Sequence, residues 1–216
     1  MIFKNLKKRT FTALFLILLF LLIFKSQYFM GWSLLVLGIY CFIEFSKLMN
    51  KIFKSNLIRF FSNIFFLIYI FLFCFMFFFF SNILALKIIL FSLLLGCISS
   101  DIGGYIFGSI FKGQKLSKIS PNKTISGAIG SLLLTCITLS GAIYYFTNNI
   151  SLKIIIISLF TSLFCQTGDL LFSYLKRKAK IKDTGNFFPG HGGVLDRFDG
   201  ILLGLPLGFF ILILIY

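Results

Sequence analysis

Charged residues are scarce in this chain of 216 residues, because Asp, Glu, Lys and Arg fill 12% of its positions. Soluble domains carry about 25%. Apolar residues make up 59%, and they form continuous runs of roughly 20 residues rather than alternating with polar ones. The composition therefore argues against a soluble globular domain and a β-barrel. It predicts an all-α, polytopic integral membrane protein.

Several sites that cysteine and glycine often build are also missing. The five cysteines are dispersed through apolar segments without a CxxC pair (Cys41, Cys74, Cys97, Cys136, Cys165). This pattern favours small helix residues over disulfides or a zinc site. The glycines of 103–113 do not fit the spacing GxGxxG, and Gly113 is followed by Gln114 rather than by the Lys of a P-loop. Close helix packing is a simpler interpretation of these glycines.

The apolar runs predict about seven transmembrane helices, at residues 11–26, 31–48, 60–80, 83–107, 124–147, 152–173 and 200–216. The break between the third and the fourth depends on Ser81 and Asn82 alone. The basic N-terminal segment resembles a signal peptide, but no small-residue cleavage site follows it, so we expect an uncleaved first span. We expect one membrane domain, 1–216, with N-terminal spans in 1–98 and the catalytic half in 99–216.

The basic residues indicate the orientation of these spans. With the N-terminus in the cytoplasm, 18 of the 21 Lys and Arg residues fall on the cytoplasmic side, and only Lys25, Lys87 and Lys153 fall on the other. The net charge of +15 is thus explained by topology and by contact with anionic lipid, not by a nucleic-acid partner. We predict a multi-pass protein of the cell (inner) membrane whose functional groups face the cytoplasm.

One charged segment, Ser173–Asp199, stands out in the apolar chain. It holds three of the six acidic residues and the only histidine (Asp183, Asp196, Asp199, His191), and Asp169 lies just before it. Ionisable groups at a membrane boundary are costly, so they indicate function by default. Asp101 and Asp169 each lie late in an apolar helix, where a structural ion pair with Lys or Arg is the alternative to a functional role.

Carboxylates in this region are candidates for a cation site. Mg²⁺ is held by one or two carboxylates together with water and substrate phosphates. Asp169 and Asp196 have the right chemistry, provided that folding brings residues 27 positions apart together. Asp196 and Asp199 are three positions apart and share a face if the last helix begins there.

Basic and turn residues around these acids suit phosphate. Lys176, Arg177, Lys182 and Arg197 supply cations. A topogenic signal is the alternative, but such a signal does not need the acids between them. The turn Pro189–Gly193 exposes its backbone at Gly192 and Gly193. His191 orients a phosphate, acts as a general acid or only stabilises this turn. Earlier, residues 120–124 form a turn into the fifth span, and its Lys123 is positioned to contact a phosphate.

The segment resembles the signature of the phosphatidate cytidylyltransferases, the CDP-diacylglycerol synthases. The resemblance rests on the pattern Ser173-x-x-Lys176-Arg177-x4-Lys182-Asp183-x-Gly185 and on Pro189-Gly190-His191-Gly192-Gly193-x-x-Asp196-Arg197-x-Asp199. An earlier block is also similar, with Asp101-x-x-Gly104-Tyr105-x-x-Gly108, Ser117, Ser120-Pro121 and Lys123-Thr124. Together the two blocks cover the C-terminal half. One departure is Ser126, where the family often has an acidic or other polar residue.

The resemblance implies transfer of a cytidylyl group from CTP to phosphatidate, which gives CDP-diacylglycerol and pyrophosphate in phospholipid biosynthesis. It implies Mg²⁺ dependence with metal at Asp169 and Asp196, leaves any second cation open, and implies a homodimer in contact with membrane lipid. The catalytic set would be Asp169, Lys176, Arg177, Asp183, His191, Asp196, Arg197 and Asp199. The nucleotide- and cation-binding set would be Asp101, Ser120, Lys123, Thr124, Lys182, Gly192 and Gly193.

Two other functions are compatible with an apolar chain of this kind. A membrane transporter or channel usually places ionisable residues near the bilayer midplane, whereas these gather at one face. A CDP-alcohol phosphotransferase needs Asp-Gly-x-x-Ala-Arg, but Asp199-Gly200 is followed by Ile-Leu-Leu-Gly. Release of pyrophosphate rather than CMP would distinguish the cytidylyltransferase from the phosphotransferase.

Overall fold

A computed structural model describes residues 18, 20–117, 120, 123–149, 151–185, 187 and 192–216. Six long helices follow one another in the chain: α1 (Gln27–Ile52), α2 (Asn56–Phe80), α3 (Leu84–Phe111), α4 (Ile125–Thr147), α5 (Leu152–Lys178) and α6 (Leu195–Ile215). Each is long and apolar enough to cross a membrane. Residues 18 and 20–25 are helical too. The described residues contain no strand beyond one isolated bridge, Lys115 with Thr124, so the all-α prediction is confirmed.

The helix ends show where apolarity is a poor guide to secondary structure. The break at Ser81 and Asn82 is confirmed, because α2 ends at Phe80 and α3 begins at Leu84. By contrast, α5 continues to Lys178 and α6 already begins at Leu195, so both helices extend into the charged segment. Helical hydrogen bonds do not require apolar side chains, and hydropathy marks only the part suited to lipid. Half of the predicted first span, 11–26, lies outside the described residues.

The chain divides into two compact units. The first consists of Met1–Asn82 and Leu175–Phe198, and the second consists of Ile83–Tyr174 and Asp199–Tyr216. The functional division expected at residues 98 and 99 stays a prediction. Each unit contains one group of the predicted site residues, and its packing decides how they are held.

In the first unit, α1 packs against α2 through aromatic and small residues. The rings of Phe45 and Phe66 stack with centroids 3.9 Å apart. Asn63 Nδ2 donates a hydrogen bond to Ser46 Oγ at 3.2 Å. Met30 and Cys41 of α1 are also buried. The end of α1 is thereby fixed, which matters because it also contacts the charged segment.

In the second unit, glycines bring α3 and α4 into close contact. A methyl group at Gly103 would lie 2.5 Å from the carbonyl oxygen of Gly130, and one at Gly127 would lie 2.7 Å from that of Gly104. Ser131 Oγ donates to the Ser100 carbonyl oxygen at 2.7 Å across the same interface. Small residues and hydroxyls are the usual means of helix association in lipid. This confirms the packing interpretation of the glycine series.

Glycines also allow α6 to approach α5. A methyl group at Gly168 would come within 2.6 Å of the Asp199 carbonyl oxygen, and one at Gly204 within 3.0 Å of Cys165 Cβ in α5. At Gly200 a methyl group would lie 2.8 Å from Asp169 Oδ1. The close crossing therefore places the backbone of α6 directly beside the carboxylate of Asp169.

We expect Gly127→Ala to destabilise the second unit. The added methyl group meets backbone that cannot rotate away, and overpacking of this kind costs about 1–3 kcal/mol. Gly141→Ala in the same helix is the matched control, because nothing lies within 4 Å of the added methyl group. Equilibrium unfolding in mixed detergent micelles measures both variants. Equal stability of the two would contradict the close contact of α3 with α4.

Candidate active site

The first cluster of site residues surrounds Asp196 in the first turn of α6. Lys176 Nζ lies 2.9 Å from Asp196 Oδ1, and the side chains are only 12% and 6% exposed. Asp196 Oδ2 accepts hydrogen bonds from the backbone N–H groups of Thr184 at 2.8 Å and Gly193 at 3.0 Å. Gly193 lies three residues before Asp196, just ahead of the first turn of α6. Three donors thus fix this carboxylate in one orientation.

The glycine turn before α6 makes room for this arrangement. Gly192 has φ of +82°, a conformation that side chains other than glycine rarely adopt. A methyl group there would lie 2.9 Å from Asp196 Oδ2 and 3.6 Å from Asp183 Oδ1. Gly192 and Gly193 therefore line the pocket of Asp196, and Asp183 lies at its edge with an exposed side chain.

Three other predicted cations are at the surface of the first unit. Arg177, Lys182 and Arg197 are all exposed, so their charged groups are accessible to a soluble ligand. His191 lies outside the described residues, and its predicted role stays a prediction. The first unit therefore brings together Lys176, Asp183, Gly192, Gly193 and Asp196, with these cations exposed to solvent.

The second cluster surrounds Asp169 in the second unit. Lys123 Nζ lies 2.9 Å from Asp169 Oδ2, with side chains 31% and 18% exposed. The Asp101 carboxyl lies close enough to Asp169 for the two carboxyl groups to interact electrostatically, and Cys165 Sγ donates to Asp101 Oδ1 at 3.8 Å. Residues from α3, α5 and the turn before α4 thus meet around two adjacent carboxyl groups.

The turn before α4 is built to hold Lys123 in place. Leu116 N donates to the Lys123 carbonyl oxygen at 2.7 Å, and Lys123 N donates to that of Ser120 at 3.0 Å. Thr124 caps α4, because its Oγ1 accepts from Gly127 N at 3.1 Å. Ser126 Oγ lies 3.0 Å from the same Thr124 oxygen. Ser120 and Thr124 therefore shape the turn, and Ser126 supports the cap.

The carboxylate oxygens of the second cluster are suitable ligands for a hard cation. Asp101 and Asp169 offer neighbouring carboxylate oxygens, and Mg²⁺ needs only one or two protein carboxylates when substrate phosphates complete its shell. No group of three or more His, Cys, Asp or Glu side chains suited to a metal occurs within the described part of the chain. Asp169 belongs to the second unit and Asp196 to the first, so a metal shared by these two stays a prediction.

The remaining predicted acid, Asp199, lies in the second unit. Its Oδ1 accepts a hydrogen bond from Gly200 N at 3.1 Å.

Two residues beside the first cluster were not predicted from the sequence. Glu44 in α1 is 5% exposed and accepts hydrogen bonds from Val194 N and Leu195 N at 3.0 and 2.9 Å. Thr184 Oγ1 donates to the same carboxylate at 2.7 Å. One signal was available in the sequence, since Glu44 is the only glutamate in the chain and lies in an apolar span.

A protein-family model matches almost the whole chain, and individual known proteins match about half of it. Residues 2–215 match the model of a family described as the cytidylyltransferase family. A phosphatidate cytidylyltransferase of Rickettsia felis is 49% identical over 126 residues, which are 54% of this chain and 55% of that protein. One of Staphylococcus aureus (strain COL) is 44% identical over 110 residues, 50% of this chain and 42% of that protein. The chain spans about half the length of these curated relatives.

We expect the two Lys–Asp pairs to differ in their contribution to stability. Lys176→Met should cost about 3–5 kcal/mol, because it leaves a buried carboxylate without its counter-charge. Lys123→Met should cost about 1 kcal/mol or less, since that pair is partly exposed to solvent.

Double-mutant cycles with Asp196→Asn and Asp169→Asn, read by unfolding in mixed micelles, isolate each pair. Lys47→Met at an exposed position of α1 controls for the general loss of a positive charge. A larger coupling for Lys123–Asp169 than for Lys176–Asp196 would refute the burial argument.

Proposed function

Because the chain belongs to the cytidylyltransferase family, we propose that it is a nucleotidyltransferase that joins CTP to phosphatidate. The products would be CDP-diacylglycerol and pyrophosphate, and the reaction would require Mg²⁺. The relatives from Rickettsia felis and Staphylococcus aureus bear the name phosphatidate cytidylyltransferase. Their names and the shared signature support this substrate class.

The observation that carries the proposal is the pair of Lys–Asp clusters at the ends of apolar helices. Asp196 with Lys176 lies at the start of α6, and Asp169 with Lys123 lies late in α5. A lipid phosphate and a soluble triphosphate are both highly charged, and their reaction needs cations and oriented donors at the membrane boundary. Five of the six acidic residues of the chain belong to these clusters or lie beside them.

The proposed reaction is an in-line displacement at phosphorus. A phosphate oxygen of phosphatidate attacks the α-phosphorus of CTP, the bond from that phosphorus to the β-bridging oxygen breaks, and pyrophosphate leaves with the electron pair. Enzymes promote such transfers mainly by positioning and by electrostatic stabilisation. Lys176, Arg177 and Arg197 would bind the phosphate oxygens and offset the charge that develops on the leaving group.

The metal would be held by Asp169 and Asp196. Mg²⁺ bound there would neutralise charge on the phosphate oxygens. Asp101 would support Asp169, Lys123 would orient the same carboxylate, and Lys182, Gly192 and Gly193 would contact the nucleotide phosphates. Ser120 and Thr124 would hold the turn that carries Lys123. Asp183, His191 and Asp199 complete the proposed catalytic set.

The remaining partners follow from the same proposal. The lipid substrate would enter from the bilayer, and the protein would function as a homodimer in the cell membrane. Most basic residues lie in the segments assigned to the cytoplasm, which supports an active site on that side, where CTP is available.

We expect Asp169→Asn and Asp196→Asn each to abolish formation of CDP-diacylglycerol, because each removes an anionic ligand from the proposed metal. The assay uses membranes with labelled CTP and phosphatidate, with and without Mg²⁺, and detects pyrophosphate and the labelled lipid.

Immunoblotting must show equal amounts of protein, and Asn149→Ala, in the exposed connection between α4 and α5, serves as the active control. Full activity of either Asp variant at saturating Mg²⁺ would refute the metal assignment. Release of CMP instead of pyrophosphate would indicate a phosphotransferase.

We also expect opposite ends of α4 to face opposite sides of the membrane. In a background without the five native cysteines, Asn149→Cys should react with a membrane-impermeant maleimide in intact cells. Gln114→Cys, in the connection before α4, should react only after permeabilisation. Both positions are exposed, so access to the reagent depends on sidedness. The reverse pattern would overturn the cytoplasmic placement of the site.

A further inference from the structure

Glu44 is a buried acid in a helix that the proposed reaction does not use. It is the only glutamate of the chain, and it is 5% exposed within the apolar α1. An isolated carboxylate in such surroundings is strongly disfavoured unless donors surround it. Its presence therefore calls for a specific explanation.

Three hydrogen bonds surround the carboxylate, and all come from the charged segment. Glu44 Oε1 accepts from Val194 N, and Oε2 accepts from Leu195 N and from Thr184 Oγ1. The two backbone groups belong to the start of α6, where N–H groups have no partner within the helix. A negative charge there is also favoured by the helix dipole.

The surrounding backbone is shaped to admit this carboxylate. A methyl group at Gly185 or at Gly193 would collide with Glu44. Two further contacts tie α1 and its end to the same segment: the rings of Tyr40 and Phe187 have centroids 4.4 Å apart, and Lys178 Nζ lies 5.0 Å from the centroid of Phe53. The C-terminal half of α1 and Phe53 thus contact five described residues of this segment: Lys178, Thr184, Phe187, Val194 and Leu195.

Thr184 connects Glu44 to Asp196. The Thr184 hydroxyl donates to Glu44, and its backbone N–H donates to Asp196 Oδ2. Leu195, whose N–H is held by Glu44, directly precedes Asp196 in the chain. Glu44 therefore fixes the backbone on both sides of the Asp196 pocket without contacting Asp196 itself.

The geometry points to Glu44 as a positioning residue that holds the Asp196–Lys176 pair in the orientation needed to bind the triphosphate of CTP. This inference rests on the proposed function, because it assigns Asp196 and Lys176 to the same reaction. It extends the site to α1, so the N-terminal spans contribute to catalysis through the backbone around α6.

The test compares Glu44→Gln with the wild-type full-length protein in detergent–lipid micelles. Glutamine keeps the shape but places an amide donor where three donors converge. We expect kcat/KM for CTP to fall about 10- to 100-fold, as for other groups that support a site from outside it, with KM for CTP raised. A smaller folded fraction would lower the rate but leave KM unchanged. Glu44→Asp should restore part of the loss.

Hydrogen exchange supplies a readout that does not depend on activity. In Glu44→Gln, the amides of Val194 and Leu195 should exchange faster than in the wild type. Cys41→Ala is the matched control, because Cys41 is fully buried one turn earlier in α1 and should alter neither exchange at these amides nor KM. If Glu44→Gln does not fold, Thr184→Val removes one hydrogen bond to Glu44 and should shift both readouts in the same direction.

The outcomes separate the two proposals. If the wild-type protein does not form CDP-diacylglycerol, the proposed function fails, whereas faster exchange in Glu44→Gln would still establish that Glu44 holds the start of α6. Unchanged exchange and unchanged KM in Glu44→Gln, with an active wild type, would overturn the positioning role alone.

Discussion

The structure depends on one electrostatic requirement: a carboxylate in an apolar chain must be surrounded by hydrogen-bond donors or by a positive charge. Asp196 has a lysine and two backbone N–H groups, Asp169 has Lys123, and Glu44 has two backbone N–H groups and a hydroxyl. All of these bonds except the one from Gly193 N to Asp196 join residues at least 12 positions apart in the sequence. The acids are therefore cross-links of the fold as well as candidates for chemistry.

Packing between the helices follows a different rule, since lipid offers no hydrophobic drive for association. The α3–α4 contact uses glycines where backbones touch, and hydroxyls such as Ser131 donate to carbonyl oxygens across it. The same device brings Gly200 of α6 beside Asp169. Close helix crossings and the position of the Asp169 carboxylate are thus two results of one small-residue pattern.

Much of this architecture could be predicted from the sequence, because apolar runs, the Ser81–Asn82 break and the glycine spacing are local features. The pairings Lys123–Asp169 and Lys176–Asp196 could not, since residues 46 and 20 positions apart meet only through tertiary structure. The last span was predicted to begin at residue 200, whereas α6 begins at Leu195. Charged residues in the first turn of α6 lower its hydropathy, so the apolar run does not include that turn. Glu44 carried a compositional signal, but nothing local indicated that its partners lie about 150 residues away.

That long separation between Glu44 and its partners has a consequence for how the chain is made. A ribosome releases α1 well before α6, and domains fold from the N-terminus during synthesis. Glu44 therefore enters the membrane long before Val194 and Leu195 exist, and until then other groups or water must satisfy its carboxylate. The hydrogen bonds between them can form only after residues 194 and 195 have been synthesised. A chain truncated before residue 194 could not make this contact.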